Sequence, residues 1–187
     1  MKHYALKSLW GLVMLMLFAG CDLFEKVDDV TIEIEIQHTF EITEDFDSDG
    51  EPVSYSDIGT IDATKDADFD KYKDKIKQFT VHSVEYTVTD YAAEGDVVFS
   101  NGMGKFFAQG STSNALAEAA ISIQSVPAAQ GGTFTLPYTT EGLEAIASQL
   151  ESVHKVDFQV AGTFSHTPVY FNVPVTLKCT IVADALD

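Results

Sequence analysis

The sequence predicts an all-β protein. The expected fold is a mainly antiparallel β-sandwich, immunoglobulin-like or of a related type, with two short helices, formed by residues 31–187 as a single domain. Residues 31–42 alternate strictly between apolar and polar side chains, which is typical of a half-buried strand. Several short segments of strand character follow at regular spacing, separated mostly by turns. The 187-residue chain is long enough to bury a sizeable core.

The first elements follow from these patterns. Residues 31–42 and 53–61 predict two strands joined as a hairpin. Residues 66–79 predict an amphipathic helix with Asp66 or Asp68 as its cap, because its apolar residues are spaced by 3, 4 and 3. The residues of that apolar face are Phe69, Tyr72, Ile76 and Phe79. Five lysines in and around this segment are expected to form its solvated face, a binding patch being the alternative.

The later elements complete the sandwich. The apolar phase slips between Val81 and Val84, which predicts a β-bulge in the strand over residues 79–91. Pro174 predicts an interruption of the last strand, at a sheet edge or a bulge. The other predicted elements are two short strands around Asn101-Gly102, strands over residues 121–126, 131–138, 155–164 and 169–183, and a second helix over residues 140–153.

The N-terminus predicts export from the cytoplasm. Lys2 and Lys7 precede an uninterrupted apolar run of 11 residues, Leu9 to Ala19. This run is too short to span a bilayer, which takes about 20 residues. It matches the apolar region of a signal peptide, and we therefore assign residues 1–20 to one.

The end of the apolar run resembles a known sequence motif. Phe18-Ala19-Gly20-Cys21 resembles the lipobox of bacterial lipoproteins, although leucine is commoner at the position of Phe18. The resemblance implies cleavage before Cys21, which would then carry a thioether-linked diacylglycerol and an acylated amine. Three acyl chains exceed the two signals needed for stable anchoring. An ordinary secretory cleavage site with an unmodified Cys21 is the alternative.

The lipobox, the acidic domain and the short tether over residues 21–30 together resemble the small β-sandwich lipoproteins of Bacteroidota-type bacteria. The tether would reach about 30 Å when fully extended. The resemblance implies an anchor in the outer membrane and exposure at the cell surface. Asp22 and Glu25 partly match the acidic export signal of these bacteria, from which Leu23 and Phe24 depart. Under the enterobacterial sorting rule, Asp22 would instead imply retention in the inner membrane.

Charge excludes one class of partner. The chain contains 11 lysines and no arginine against 29 acidic residues, a net charge of −18. Removal of Lys2 and Lys7 with the signal peptide leaves 9 lysines, and the net charge becomes −20. A domain of this charge lacks the basic surface that nucleic acid requires, and an anionic membrane would repel it. Membrane association is therefore expected through the lipid alone.

The second cysteine has a structural interpretation. With Cys21 lipidated, Cys179 has no partner for an intrachain disulfide. Cys179 falls on the apolar face of the predicted last strand, so we expect a small buried hydrophobe. A reactive thiol would need exposed, positively charged surroundings.

The predicted hairpin contains a half motif for calcium. Aspartates at alternate positions followed by Gly50 match the first half of an EF-hand loop. The twelfth position holds Ser56 rather than glutamate, and no helices flank the segment. The candidate calcium ligands are Asp45, Asp47, Asp49, the carbonyl of Glu51, and Asp57. An acidic hairpin turn at Asp49-Gly50 explains the same residues, and both interpretations stay open.

No catalytic motif stands out, and we predict a protein that is not an enzyme. The mature histidines match no zinc-protease motif, and no G-x-S-x-G motif is present. Two functions follow: an accessory or structural subunit of the envelope acting through protein contacts, or a module that captures a glycan or peptide. The adjacent aromatics Phe106-Phe107 and Tyr170-Phe171 would suit ligand capture unless both faces of their sheets are covered.

Overall fold

The first strand shows how the sequence builds the fold. The computed structural model describes residues 29–93 and 95–184, and β1 (Asp29–Glu44) begins two residues before the predicted domain boundary. Ile34, Ile36, Phe40 and Ile42 are buried and His38 is half-buried, whereas the residues that alternate with them are exposed. The alternation of apolar and polar residues therefore determines which face of β1 is buried, as predicted. Asp29 belongs to the strand because it pairs with Asp184 and forms an ion pair with Lys77 at 2.5 Å.

Two antiparallel sheets contain nine strands in the described part of the chain. The strands after β1 are β2 Val53–Asp62, β3 Ile76–Thr87, β4 Thr89–Ala92, β5 Phe99–Ala108, β6 Ala117–Ile123, β7 Thr133–Thr135, β8 Lys155–Phe164 and β9 Val169–Asp184. One sheet has the order β1-β9-β3-β7, with β4 also paired to β9, and the other has the order β2-β8-β5-β6. The predicted β-sandwich class is confirmed. The predicted hairpin of the first two strands is wrong, because β1 and β2 lie in different sheets and pair with β9 and β8 instead.

The core lies between the two sheets and is rich in phenylalanine. Phe158 contacts Phe106 and Phe40, with ring centroids 4.6 and 5.7 Å apart. Phe164 contacts Phe99 and Phe171 in the same way, at 4.9 and 5.9 Å. The void enclosed by this core measures about 10 Å³, room for about one water molecule. The part of the interior that surrounds this void is therefore closely packed.

Three α-helices lie among the described residues. The longest, α3 (Thr140–Val153), matches the predicted second helix, and Thr139 caps it by accepting a hydrogen bond from the amide of Gly142. It packs against β3, β6 and β8 at the open side of the sandwich. The four-residue helix α2 (Val126–Ala129) lies partly in the region predicted as a strand over residues 121–126, and β6 ends at Ile123.

The predicted helix over residues 66–79 is wrong in its second half. Helix α1 (Ala67–Tyr72) is capped by Asp66 and is followed by a single 3₁₀ turn. Ile76 and Phe79 belong to β3, where backbone pairing with β9 overrides the helical spacing of the side chains. Phe69 and Phe79 are nevertheless in contact, with ring centroids 5.7 Å apart.

Two further strand predictions are corrected. Asn101 does not end a strand: it has a φ of 52° and forms an irregularity within the continuous strand β5. Pro174 does not interrupt β9, which is a central strand. Pro174 pairs with Thr39 on one side, and on the other it lies at the break between β3 and β4, where the pairing skips from Val175 to Asn172. The missing amide hydrogen of proline is tolerated there. The predicted bulge of β3 is confirmed by the register shift between Val81 and Ser83.

The strand directions define two ends of the sandwich. We call the "Asp29 end" the end formed by Asp29, Asp184 and residues 62–76. The "hairpin end" consists of the loops 45–52, 95–98 and 165–168, which are joined by the bonds from Ser48 N to Thr167 O and from Ser165 N to Val98 O. In the part of the chain described, no helix has the length and apolarity needed to cross a membrane.

Candidate functional site

The acidic segment at the hairpin end forms a tight turn. Asp49 and Gly50 both have positive φ angles, 53° and 83°, and the amide of Glu51 donates to the carbonyl of Ser48 at 3.0 Å. These are the features of a type I′ turn, for which Asp-Gly is a favoured pair. Asp47 accepts a hydrogen bond from the amide of Asp49 at 2.9 Å. The turn interpretation thus accounts for Asp47, Asp49 and Gly50.

The structure does not bring the five candidate calcium ligands together. Asp45, Asp47, Asp49 and Glu51 are exposed around the turn. Asp57 lies four residues inside β2, about 13 Å along the strand from Val53, and accepts a hydrogen bond from the amide of Ile58. Among the residues described, no group of three histidine, cysteine, aspartate or glutamate side chains is placed to hold a metal ion. A calcium site at this turn stays a prediction from sequence.

The hairpin end exposes apolar side chains among carboxylates. Phe46, Tyr170 and Val98 are 49%, 36% and 36% exposed. The three loops that define this end contain five acidic residues and no lysine. Exposed aromatic side chains are enriched on surfaces that contact other proteins.

The loops at the hairpin end are hydrogen-bonded to one another. The amide of Thr167 donates to the Ser48 hydroxyl at 3.1 Å, and the amide of Val98 donates to the Ser165 hydroxyl at 3.1 Å. Ser125 donates to Asp96 at 2.5 Å. Thr167 is 2% exposed, and no hydrogen bond to its hydroxyl is found within the described residues. The loops therefore present a defined surface.

Lysine is concentrated at the Asp29 end. Lys77 lies 2.5 Å from Asp29 and 3.5 Å from Asp184, so it joins the start of β1 to the end of β9. Lys155 lies 3.1 Å from Asp62. The lysines at this end are Lys65, Lys71, Lys73, Lys75, Lys77 and Lys155. The sandwich consequently has one end of mixed charge and one end that is acidic only.

The four histidines described lie in separate surroundings. His38 packs edge-on against Phe40, and burial, aided by Lys65 and opposed by Asp57, lowers its pKa. His82 forms a 2.6 Å hydrogen bond with Thr180, and His166 forms one of 3.0 Å with Ser165. His154 ends α3 in the left-handed conformation and contacts Phe69. The contact with Phe40 and the partial burial of the ring identify His38 as a histidine at the rim of the core.

The remaining candidate residues have structural roles. Cys179 is 2% exposed, and burial raises the pKa of its thiol to about 12, so the predicted buried hydrophobe is confirmed. Phe106 and Phe107 are both buried, as expected if both faces of their sheet are covered. In the other pair Phe171 is buried and Tyr170 is partly exposed. Cys21 lies outside the described residues.

Sequence reasoning missed a groove at the open side of the sandwich. It lies between β3 and α3, has a volume of about 440 Å³, and falls within the range of ligand sites. Its lining residues are Gln78, Phe79, Thr80, Val81, Leu143, Glu144, Ala147, Ser148 and Glu151. The strand and the helix were each predicted, but their separation depends on the tertiary fold.

Comparisons with known proteins do not assign this chain to a family. No family model matches the sequence, and no curated protein matches it. Among solved structures, the decameric BFDV capsid protein is similar over 82% of this chain and 98% of its own, with 11% identity and a TM-score of 0.42. A structure of Desmodium yellow mottle tymovirus is similar over 84% of this chain and 91% of its own, with 8% identity and a TM-score of 0.35. Similarity at this level carries no conclusion about function.

Proposed function

We propose that the protein is a lipid-anchored envelope protein, held at the outer membrane or cell surface, that works as a non-enzymatic accessory subunit through contacts with a protein partner. The anchor is inferred from the lipobox-like residues ending at Cys21. They lie outside the described part of the chain, so this step rests on sequence alone.

The observation that carries the proposal is that the Asp29 end and the hairpin end lie at opposite ends of the sandwich. Only residues 22–28 separate Cys21 from the start of β1, a span of about 27 Å at most. The Asp29 end would therefore stay near the membrane. Strand β1 then extends by 16 residues, about 50 Å, to the hairpin end. This arrangement would present the hairpin end to partners beyond the membrane surface.

The chemistry of the hairpin end fits a protein partner. Phe46 and Tyr170 supply large apolar surfaces, and aromatic residues of this kind supply much of the binding energy in protein interfaces. The surrounding carboxylates favour a partner with basic residues around its contact surface. We expect such a partner to combine an apolar centre with lysine or arginine at its rim.

The experiment is a purification from the native host. Tagged full-length protein is solubilised gently from the envelope, and proteins present in stoichiometric amount are identified. We expect a membrane or surface protein that is retained by the wild type and lost with Phe46→Ser combined with Tyr170→Ser. Ile58→Ser is a matched control, since Ile58 is 42% exposed in the middle of β2.

Two outcomes would contradict the proposal. A wild-type protein that purifies alone would argue for the second function, capture of a glycan or peptide, and arrays of these ligands would test it. Absence of radiolabelled fatty acid on the protein, or unchanged labelling after Cys21→Ser, would remove the anchor from the proposal.

A further inference from the structure

The outer edge of β3 is paired over only part of its length. β7 pairs with Glu85 to Thr87, and the amide of Leu136 donates to the carbonyl of Val84 at 2.8 Å. The chain then leaves the edge, because Pro137 has no amide hydrogen and the amide of Tyr138 donates back to Leu136 at 2.9 Å. β7 therefore leaves the first half of β3 uncovered by any strand in the described residues.

The uncovered edge retains its capacity for hydrogen bonding. Within the described chain, residues 78–81 of β3 pair with β9 alone, and no other backbone or side-chain hydrogen bond reaches their main chain. Alternate residues of a strand direct their amide and carbonyl groups to opposite sides, so half of these groups face away from β9. Such an edge is a template for a further strand.

Helix α3 forms the second wall of a groove along this edge. The floor contains Phe79 and Val81, which are 6% and 5% exposed, and the helix contributes Leu143 and Ala147. The space of about 440 Å³ between strand and helix lies directly beside the free edge. A strand edge facing a helix is an arrangement in which an extended peptide gains both main-chain bonds and pockets for alternate side chains.

The charges of the groove indicate its occupant. Glu144 and Glu151 line the helical wall and are exposed, and no lysine is among the lining residues. A second copy of this chain pairing through the same edge would bring four glutamates together, which like-charge repulsion opposes. A segment with lysine or arginine at alternate positions would instead neutralise both carboxylates.

We propose that the groove between β3 and α3 binds an extended basic segment of another polypeptide, which adds to β3 as a strand. Main-chain bonds to residues 78–81 hold the segment, its apolar side chains cover Phe79, Val81 and Leu143, and its basic side chains pair with Glu144 and Glu151. This surface lies on the side of the sandwich and is separate from the hairpin end.

The test uses full-length protein in detergent micelles and a synthetic eight-residue peptide that alternates valine with lysine and threonine. Binding is followed by calorimetry, and amide hydrogen exchange is measured by mass spectrometry. We expect saturable binding and about tenfold slower exchange in the segment containing residues 76–84, with β1 unchanged. A peptide with glutamate in place of lysine is expected not to bind.

Protein variants separate groove binding from general charge attraction. Glu144→Lys combined with Glu151→Lys should weaken peptide binding by about tenfold or more. Glu33→Lys combined with Glu41→Lys is the matched control: it makes the same change in net charge on exposed positions of β1 and should alter affinity less than about twofold.

Four results would overturn the inference. These are the absence of binding at about 1 mM peptide, equal binding of the glutamate peptide, equal weakening by both double variants, and binding without protection of β3. Protection of the β3 edge in free protein that disappears on dilution would assign the groove to a second copy instead. Since the envelope purification tests the hairpin end, failure here leaves that proposal intact.

Discussion

The imidazole of His38 packs directly against Gly59, at the seam where the edges of the two sheets meet. A β-carbon added at Gly59 would lie 2.3 Å from Nε2 of His38 and 3.0 Å from Cε1 of Phe40. No side chain fits at position 59 unless His38 moves. The seam between β1 and β2 is therefore closed by a large ring on one strand and a glycine on the other.

Gly59→Ala should destabilise the domain by about 1–3 kcal/mol, because the added methyl group forces His38 off its position. The free energy of unfolding is measured by urea titration. His38→Ala combined with Gly59→Ala should recover part of the loss, giving a coupling energy of about 0.5 kcal/mol or more. Strict additivity of the two single changes would show that the contact does not limit stability.

Stability should fall as the pH drops below about 6.5, the unfolded pKa of histidine. Burial and Lys65 lower the pKa of His38 in the folded protein, so the unfolded state takes up a proton first. The unfolded state then binds more protons, and the free energy of unfolding decreases until the pH passes the folded pKa. The loss of unfolding free energy caused by His38 is confined to the pH range between the unfolded and folded pKa values of the histidine. The lowered pKa of Asp62 affects stability only at more acidic pH.

Urea titrations at pH 7.5, 6.5 and 5.5 with His38→Gln check this expectation. The variant should lose less stability between these values than the wild type. The exposed His82, changed to Gln, serves as control. An identical pH dependence in wild type and His38→Gln would exclude His38 as the source.

The fold was largely predictable because it follows from local periodicity. The alternation of β1, the phase slip at Val81 and the helical spacing of α3 each identified their element. Phe69 and Phe79 were correctly expected to lie together, but the sequence alone did not indicate that β3 begins between them. That boundary depends on pairing with β9, which lies about 100 residues later along the chain.

The candidate surfaces were harder to predict because they depend on tertiary relationships. The groove exists because the chain that follows β7 leaves β3 at Pro137 and α3 returns beside the uncovered edge. No residue type marks such a site in sequence. The tight turn at Asp49-Gly50, in contrast, was predictable, since the required positive φ angles favour those two residues. The hairpin expected around it does not form, because β1 and β2 pair with strands of different sheets.

A third prediction concerns Asp157, which is only 8% exposed on β8. Its carboxylate accepts hydrogen bonds from the Thr60 hydroxyl at 2.6 Å and from the amide of Gly110 at 2.7 Å. Asp157→Ala leaves both donors without their acceptor and should cost about 1–3 kcal/mol of unfolding free energy. Thr60→Ala, which removes one donor, should cost less. A loss below about 0.5 kcal/mol for Asp157→Ala, seen in urea titrations, would contradict this role.

The turn at Asp49-Gly50 yields the last prediction. Asp47 already accepts the amide of Asp49, and Asp57 lies well inside β2, so we expect the melting temperature to be the same with calcium and with chelator. Gly50→Ala should lower stability by about 1 kcal/mol in either condition, because alanine disfavours the φ of 83°. Asp47→Asn combined with Asp49→Asn is the matched variant for the calcium comparison. A calcium-dependent rise in melting temperature that this double variant abolishes would instead establish a cation site at the turn.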